Sequence, residues 1–252
     1  MIPKIFVGTL YSKEGGFDEC TAAITRQKNV FIEHAVIANL PEKEAHNRLW
    51  YLWRKLKDDG FDMFVKVDAD TVLQHENVIE EFWKLMSSNP RITGIQAPLF
   101  DFFTNSNING LNCFSPKVTF LDTKDDLYCD RNVDVDHDLV IGSSNVPTTL
   151  SPAGRHAFNP TDIQSFRYGL HRRLKNQRET IDKLQAAYDQ LGTRERYWAL
   201  MGAWNAPEFI KPIHLRNATT DYDNESFVQF FDFVKNVNFE KSFAAAEEKR
   251  GR

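Results

Sequence analysis

The sequence has few cysteines, no long apolar run and no leader pattern. Its 252 residues include three cysteines, Cys20, Cys113 and Cys129, without a C-x-x-C pair, which argues against a disulfide framework. No stretch approaches the roughly 18 unbroken apolar residues of a membrane-spanning helix, and the N-terminal MIPKIFVGTL lacks the order of a signal peptide. We therefore expect a cytoplasmic protein without stable membrane insertion.

Positive charge is not in excess. The chain has 31 Lys and Arg against 35 Asp and Glu, a formal charge of −4, whereas general nucleic-acid binding depends on clustered positive charge. A basic, glycine-rich phosphate loop is also missing, because residues 12–16, SKEGG, are too short and too acidic. With 42% hydrophobic and 13% aromatic residues, the composition predicts a packed globular core.

The first ninety residues alternate between strand and helix patterns. Strands are predicted at 4–9, 30–40 and 63–67, and helices at 16–28, 42–57 and 76–87. The third strand is apolar apart from Lys66, as is typical of a strand covered by helices on both faces. This alternation predicts a mainly parallel sheet whose ligand crevice lies at the carboxyl ends of the strands.

The second half has weaker periodicity. Strands are predicted at 92–100 and 139–142, and residues 101–131 form either a long functional loop or a pair of short strands. A long helix is predicted over 162–191 and another over 194–205, together a helical hairpin. We expect its seam to pack on its own domain, with a dimer interface as the alternative.

The most informative segment is FVKVDADTVL, in which Asp68 and Asp70 follow the third strand. D-x-D spacing also occurs elsewhere in the chain, so the position at a carboxyl strand end carries the argument. Two carboxylates there repel each other unless a cation lies between them or one is protonated. Mg²⁺ or Mn²⁺ accepts such ligands and completes its shell with phosphate oxygens and water, which a nucleoside diphosphate supplies. A solvated turn is the plain structural alternative.

The VDADTVL segment after two β-α units resembles the metal-binding motif of nucleotide-sugar glycosyltransferases with the GT-A fold. The resemblance covers about residues 4–100, and more loosely the whole chain. It implies a three-layer α/β/α Rossmann-like fold with a mixed, mainly parallel sheet. It also implies one catalytic domain: a nucleotide-sugar-binding half at 1–100, an acceptor side at 101–160 and a C-terminal helical region at 161–252.

The resemblance also assigns residues to the nucleotide. It implies that Thr9 and Tyr11 lie near the base, and that Asn39 stands where an acidic residue usually contacts uracil. Ala45-His46-Asn47 stands in place of an Ala-Arg-Asn-like signature that faces the nucleotide, although an exposed helix face is the alternative for these residues. Asp68 would meet the ribose or the metal.

The resemblance implies that Asp70 binds the metal, and some members of the fold add a late histidine as a further ligand. His156 and His214 are the candidates, and we favour His156 because it lies in a Gly- and Pro-rich stretch before the predicted helix.

The function implied is transfer of a sugar from a nucleoside-diphosphate donor, with Mn²⁺ or Mg²⁺, to an acceptor that could be a saccharide, lipid carrier, protein or nucleic acid. If the reaction inverts the anomeric centre, a carboxylate takes the acceptor's proton. Asp136 and Asp138 are the candidates, because both share one face of a predicted strand beyond the loop.

Two other functions fit the same residues. The segment DADTVL also matches haloacid-dehalogenase-like phosphatases, in which Asp68 would be a phosphorylated nucleophile and Asp70 a general acid. Those enzymes usually carry the motif on the first strand, whereas two β-α units precede it here. The third possibility is a non-catalytic binding module that uses the aromatic residues Phe100, Phe102, Phe103 and Phe114.

Overall fold

A computed structural model describes residues 2–125, 128–130, 133–134, 138–210, 225–236 and 239–250. The candidate residues Asp136 and His214 lie outside these ranges. The chain divides into two compact units, Met1–Phe102 with Ser106–Asn159, and Phe103–Asn105 with Pro160–Arg252. The predicted three-part division of one domain remains a prediction.

The first unit begins with the predicted alternation of strands and helices. Its elements up to residue 87 are β1 (Lys4–Tyr11), α1 (Phe17–Thr25), β2 (Phe31–Ala38), α2 (Glu42–Leu56), β3 (Met63–Lys66), β4 (Val72–Leu73) and α3 (Val78–Ser87). Six short or irregular strands follow: β5 (Ile92–Asp101), β6 (Ser106–Phe114), β7 (Thr119–Phe120), β8 (Val133–Asp134), β9 (Leu139–Ile141) and β10 (Gly154–His156). The 101–131 segment therefore contains strands, the second of the two predicted options.

One sheet joins most of these strands in the order β2-β1-β3-β6-β5-β10-β4, with β9 added beside β5. Parallel pairs are β1 with β2 and β3, and β5 with β9 and β10. β6 is antiparallel to both β3 and β5, and β4 is antiparallel to β10. Because β6 reverses direction between them, β5 and β10 run the same way as β1 and β3, and all four end at one edge.

The sheet is the middle of three layers. Alternate side chains of a strand point to opposite faces, so Ile5 and Val7 of β1 join the core formed with α1 and α3, while Phe6 joins the core formed with α2. In the second of these cores, Phe6 and Phe64 of the sheet pack against Trp53 of α2. The predicted fold class is confirmed: an α/β, Rossmann-like architecture with a mixed, mainly parallel sheet, consistent with a GT-A-like fold.

The second unit is helical. Its helices are α4 (Asp162–Leu174), α5 (Arg178–Leu191), α6 (Arg194–Ile210), α7 (Glu225–Asn236) and α8 (Phe239–Lys249). The prediction of one helix over 162–191 is wrong, because α4 ends at Leu174 and Asn176 adopts a left-handed φ of 53°. Asparagine tolerates the left-handed conformation, and this conformation ends the helix before α5 begins.

The backbones of α4 and α6 cross in close contact. A Cβ at Gly169 would meet the carbonyl oxygen of Ala199, and one at Gly202 would meet that of Phe166. α4 begins at a capping box in which Thr161 and Gln164 satisfy each other's backbone N–H groups. Within the described residues, we find no helix with the length and apolar character required to cross a bilayer.

Candidate metal centre

Three chain segments meet at the carboxyl edge of the sheet. The turn after β3 contains Asp70, whose carbonyl oxygen accepts a hydrogen bond of 3.0 Å from the backbone N–H of Phe158, just after β10. The loop after β1 comes close to the same segment, because a Cβ on Gly16 would lie 2.6 Å from the Phe158 carbonyl oxygen. This is the edge at which a parallel sheet presents ligands.

His156 connects two carboxylates at this edge. It is the register partner of Asp101 across the parallel β5–β10 pair, and its Nδ1–H donates to Asp101 Oδ1 at 2.7 Å. Its other ring nitrogen, Nε2, lies 3.7 Å from Asp70 Oδ2. Asp101 is fully buried, and its hydrogen bond to Nδ1 fixes the ring orientation of His156.

This donor set fits a divalent cation. An imidazole nitrogen and a carboxylate oxygen are accepted ligands of Mn²⁺, and a ligating histidine typically donates its second N–H to a carboxylate, as His156 does to Asp101. Adjacent ligand atoms of an octahedral ion with bonds of about 2.1 Å lie about 3 Å apart. The 3.7 Å between His156 Nε2 and Asp70 Oδ2 is close to that separation.

Asp68 has a different environment from Asp70. The ammonium of Lys66, which is buried, donates a short hydrogen bond to Asp68 Oδ1. Burial acts to raise the pKa of Asp68, but the charge and hydrogen bond of Lys66 outweigh it and hold the pKa below its usual range. Burial raises the pKa of Asp70, and the charges of Asp68 and Asp101 raise it further against the opposing effect of His156. Of these two aspartates, Asp70 is therefore the one whose charge a bound cation would stabilise more.

Glu14, in the loop after β1, adds another carboxylate to the same electrostatic environment. Its Oε2 accepts a hydrogen bond of 2.5 Å from the backbone N–H of Ser12. Burial raises the pKa of Glu14 to about 7, and the charges of Asp70 and Asp68 contribute to the shift. Negative charge thus accumulates at this edge of the sheet, which favours binding of a cation.

Residues predicted near the nucleotide base lie at the ends of β1 and β2. Thr9 is buried and its Oγ1 hydrogen-bonds with His34 Nε2 at 2.9 Å. The half-buried ring of Tyr11 stacks on Phe17 with centroids 4.1 Å apart. Asn39 is exposed, adopts a left-handed φ of 57°, and its backbone N–H donates to the Tyr11 carbonyl oxygen at 2.9 Å. Their contact with a nucleotide remains a prediction.

His46 and Asn47 of α2 both contact the chain itself. His46 is buried, and its Nδ1 donates to the Glu42 carbonyl oxygen at 2.8 Å. Asn47 makes two hydrogen bonds to the backbone of Thr123, accepting from its N–H at 2.7 Å and donating to its carbonyl oxygen at 3.2 Å. Their predicted role toward the nucleotide is untested.

Asp138, predicted as a catalytic base, is not brought together with Asp70. It precedes β9, whose first residue pairs with Ile92 at the start of β5, whereas Asp101 ends β5. Nine residue steps of a strand span about 30 Å. Asp138 forms an exposed salt bridge with Arg91, with Nη2 and Oδ1 3.0 Å apart, and this hydrogen bond lowers the pKa of Asp138.

Asp101, Lys66 and Glu14 were not among the residues predicted for the site. Asp101 follows an apolar strand and ends at the same edge as Asp70, so the strand-end rule that selected Asp68 and Asp70 applies to it as well. Lys66 was visible as the one charge within the apolar third strand. Glu14 carries no sequence signal, because its proximity to Asp70 depends on the path of a loop.

Among the solved structures to which the chain is similar are two glycosyltransferases. No family model matches the sequence, and no curated protein matches it. One structure is a glycosyltransferase involved in the glycosylation of the major capsid of PBCV-1, at 12% identity and a TM-score of 0.31, over 43% of this chain and 59% of that one. The other is a mannosyltransferase from Pyrobaculum calidifontis in complex with GDP-Man and Mn²⁺, at 12% identity and a TM-score of 0.35, over 97% and 84%.

Proposed function

We propose that this protein is a metal-dependent glycosyltransferase that moves a sugar from a nucleoside-diphosphate donor to an acceptor. In this function Asp70 and His156 bind Mn²⁺ or Mg²⁺, and Asp68 contacts the ribose or the same ion. Asp101 positions His156. The proposed class is that of the two similar structures. The acceptor is left open.

The observation that carries the proposal is the Asp70–His156–Asp101 arrangement. Three segments far apart in the sequence bring an imidazole nitrogen to 3.7 Å from a carboxylate oxygen, and a second, buried carboxylate orients the ring from its other side at 2.7 Å. A solvated turn with two aspartates would not require a histidine fixed between one of them and a buried carboxylate. The accumulated negative charge of Asp68, Asp70 and Glu14 supports a cation as the missing partner.

The residues divide the chemistry between them. Asp70 and His156 would hold the ion, which would supply positive charge against the negative charge that builds on the departing diphosphate. Asp101 keeps the Nδ1 proton on His156, so that Nε2 faces Asp70 as an acceptor. Lys66 keeps Asp68 ionised and holds its carboxylate through a hydrogen bond. Asp136 remains the predicted base for an inverting reaction.

The phosphatase alternative uses the same aspartates in a different way. Asp68 would form an acyl-phosphate, so a fluoroberyllate adduct on Asp68 supports that function and a glycosyltransferase forms none. A binding module would retain its partner in an Asp70→Ala variant and show no turnover.

The test is a thermal-shift screen of nucleoside diphosphates with and without Mn²⁺, followed by hydrolysis and transfer assays with the matching nucleotide-sugars. We expect one nucleotide to raise the melting temperature of the wild type only when Mn²⁺ is present. Asp70→Asn and His156→Ala should each abolish the metal-dependent part of the shift. The isosteric Asp101→Asn should weaken it, because the amide does not accept the His156 proton as strongly.

The matched control is Asp138→Asn, which removes a carboxylate from the opposite edge of the sheet. It should leave the metal-dependent shift unchanged, and its effect on transfer tests the predicted catalytic base separately. A nucleotide shift that is equal in wild type and Asp70→Asn contradicts the proposal, and so does a fluoroberyllate adduct on Asp68.

A further inference from the structure

Glu42, His46 and Cys129 form a second cluster of metal-ligating side chains in the first unit. Glu42 and His46 lie one turn apart on α2, and Cys129 belongs to the chain beyond β7. Each residue offers one ligand atom, and the three atoms all lie within 4.8 Å of one another. Cys129 and His46 are buried, at 1% and 4% exposure, and Glu42 is half-buried.

His46 is prepared as a ligand by its local hydrogen bond. The Glu42 carbonyl oxygen can only accept, so the proton of the ring lies on Nδ1, which donates to it at 2.8 Å. Nε2 then carries a lone pair, is buried, and makes no hydrogen bond within the part of the chain that the structure describes. Burial, helped by the Lys66 charge, lowers the pKa of His46 to about 4, so the ring is neutral at physiological pH. Native proteins rarely bury such an atom without a partner.

Cys129 supplies the soft ligand. Its thiol donates to the Asp125 carbonyl oxygen with Sγ and O 3.2 Å apart. On metal binding the S–H bond breaks, the proton leaves to solvent, and the thiolate binds the metal. A thiolate together with an imidazole selects zinc over magnesium or manganese, which prefer oxygen ligands.

The charges of the surroundings are compatible with a divalent ion. Lys66 acts on His46 as a positive charge, while Asp68 and Asp130 act as negative charges. The thiolate of Cys129 and the carboxylate of Glu42 would balance the two positive charges of the ion. The distances between the ligand atoms are also close to those of a zinc site. In a tetrahedral site with bonds of about 2.0–2.3 Å, ligand atoms lie about 3.5 Å apart. The three ligand atoms, now within 4.8 Å of one another, therefore need to approach by about 1 Å.

We propose that Glu42, His46 and Cys129 bind Zn²⁺ and thereby clamp the chain around Cys129 to α2. Three protein ligands leave one tetrahedral position for water. The site shares no ligand with Asp70 and His156, and it does not depend on the proposed function. It gives buried His46 a role toward a metal in place of the predicted role toward a nucleotide.

The experiment uses the full chain, freed of metal by a chelator and titrated with Zn²⁺ in competition with a chromophoric chelator. We expect one zinc ion per chain that Asp70→Asn does not remove, with Cys129→Ser lowering its affinity at least 100-fold and His46→Gln doing the same. Co²⁺ should give a thiolate-to-metal absorption band in the wild type that Cys129→Ser abolishes. Asp70→Asn and Cys113→Ala are the matched controls and should retain the zinc site, and excess Mn²⁺ should not displace the zinc.

Two results overturn the proposal: the wild type binds no zinc, or Cys129→Ser binds it as tightly as the wild type does. If the variants fail to fold, the wild type alone decides the matter by alkylation in mild denaturant, read by mass spectrometry. Zinc should protect Cys129 and leave the labelling of Cys20 and Cys113 unchanged. Equal labelling of Cys129 with and without zinc also refutes the site.

Discussion

Asp68 and Asp70 are two residues apart but have opposite electrostatic environments. Lys66 lowers the pKa of Asp68, whereas burial and neighbouring carboxylates raise that of Asp70. A lowered pKa means that the folded state stabilises the ionised carboxylate, and a raised pKa means the reverse. The motif therefore contains one aspartate that stabilises the metal-free fold and one that destabilises it.

Replacing each aspartate by its neutral isostere should shift stability in opposite directions. Without metal, Asp70→Asn should raise the melting temperature by roughly 2–4 °C, equivalent to about 1 kcal/mol, because it removes an unfavourable buried charge. Asp68→Asn should lower it by a similar amount, because buried Lys66 loses its partner. The effect of Asp68 is limited by solvent screening, since its side chain is 44% exposed. Calorimetry in a chelating buffer measures both, and shifts of the same sign contradict the assignment.

The raised pKa of Asp70 also predicts a pH dependence. Asp70 must be ionised to bind a cation, so Mn²⁺ affinity should be full above its raised pKa and fall as the pH drops through it, at a higher pH than for an ordinary aspartate. In the metal-free protein, ionisation of Asp70 has the opposite effect and is unfavourable. Ionising Asp70 costs stability, so the advantage of Asp70→Asn should grow as the pH rises through the same range.

Isothermal titration of Mn²⁺ across this pH range measures the first effect, and thermal melts of both proteins measure the second. The control is Asp138→Asn, because Arg91 lowers the pKa of that exposed carboxylate and it lies at the other edge of the sheet. An Asp70→Asn advantage that shrinks with rising pH contradicts the raised pKa.

At the level of elements, the site depends on close approach of two backbones. The loop after β1 has room for only a hydrogen on Gly16, because a Cβ would lie 2.6 Å from the Phe158 carbonyl oxygen. The backbone N–H of Phe158 in turn donates a hydrogen bond to the carbonyl oxygen of Asp70. The contact thus connects the loop that carries Glu14 to the segment that carries Asp70.

Gly16→Ala should separate these segments. We expect a loss of about 1–3 kcal/mol in the free energy of unfolding, since a carbonyl oxygen of the backbone cannot rotate away as a side chain does. Metal-dependent nucleotide binding should weaken with it. Gly142→Ala is the matched control, because a Cβ there meets no atom within 4 Å, and it should change stability by less than about 0.5 kcal/mol. Denaturant unfolding compares the two variants. Equal losses of stability would contradict the steric clash expected at Gly16.

For the whole molecule, the proposed function makes stability depend on ligands. A ligand that binds only the folded state stabilises it by about 2.7 kcal/mol at a concentration 100 times its Kd. For a chain of this size each kcal/mol corresponds to roughly 2–4 °C. The correct nucleoside diphosphate with Mn²⁺ should therefore raise the melting temperature by about 5–10 °C, and a chelator should reverse the shift. A shift that persists in the chelator excludes a metal-mediated contact.

Local pattern alone determined much of this protein. The β-α alternation of the first ninety residues, the buried third strand and the acids after it were predictable, because periodicity and strand-end position are properties of neighbouring residues. The break at Asn176 was not predicted, since the apolar spacing continues across it and only the left-handed backbone interrupts the helix.

The tertiary structure decided which of the predicted residues meet. His156 faces Asp70 because β10 enters the sheet beside β5, in a register that pairs it with Asp101. Asp138 lies at the opposite edge because β9 pairs with the start of the same strand. Sheet order and register are set by pairing between segments far apart in the chain, and a one-residue change in register reverses every side chain. Sequence therefore determined the ligand types at the strand end, and the sheet determined their partners.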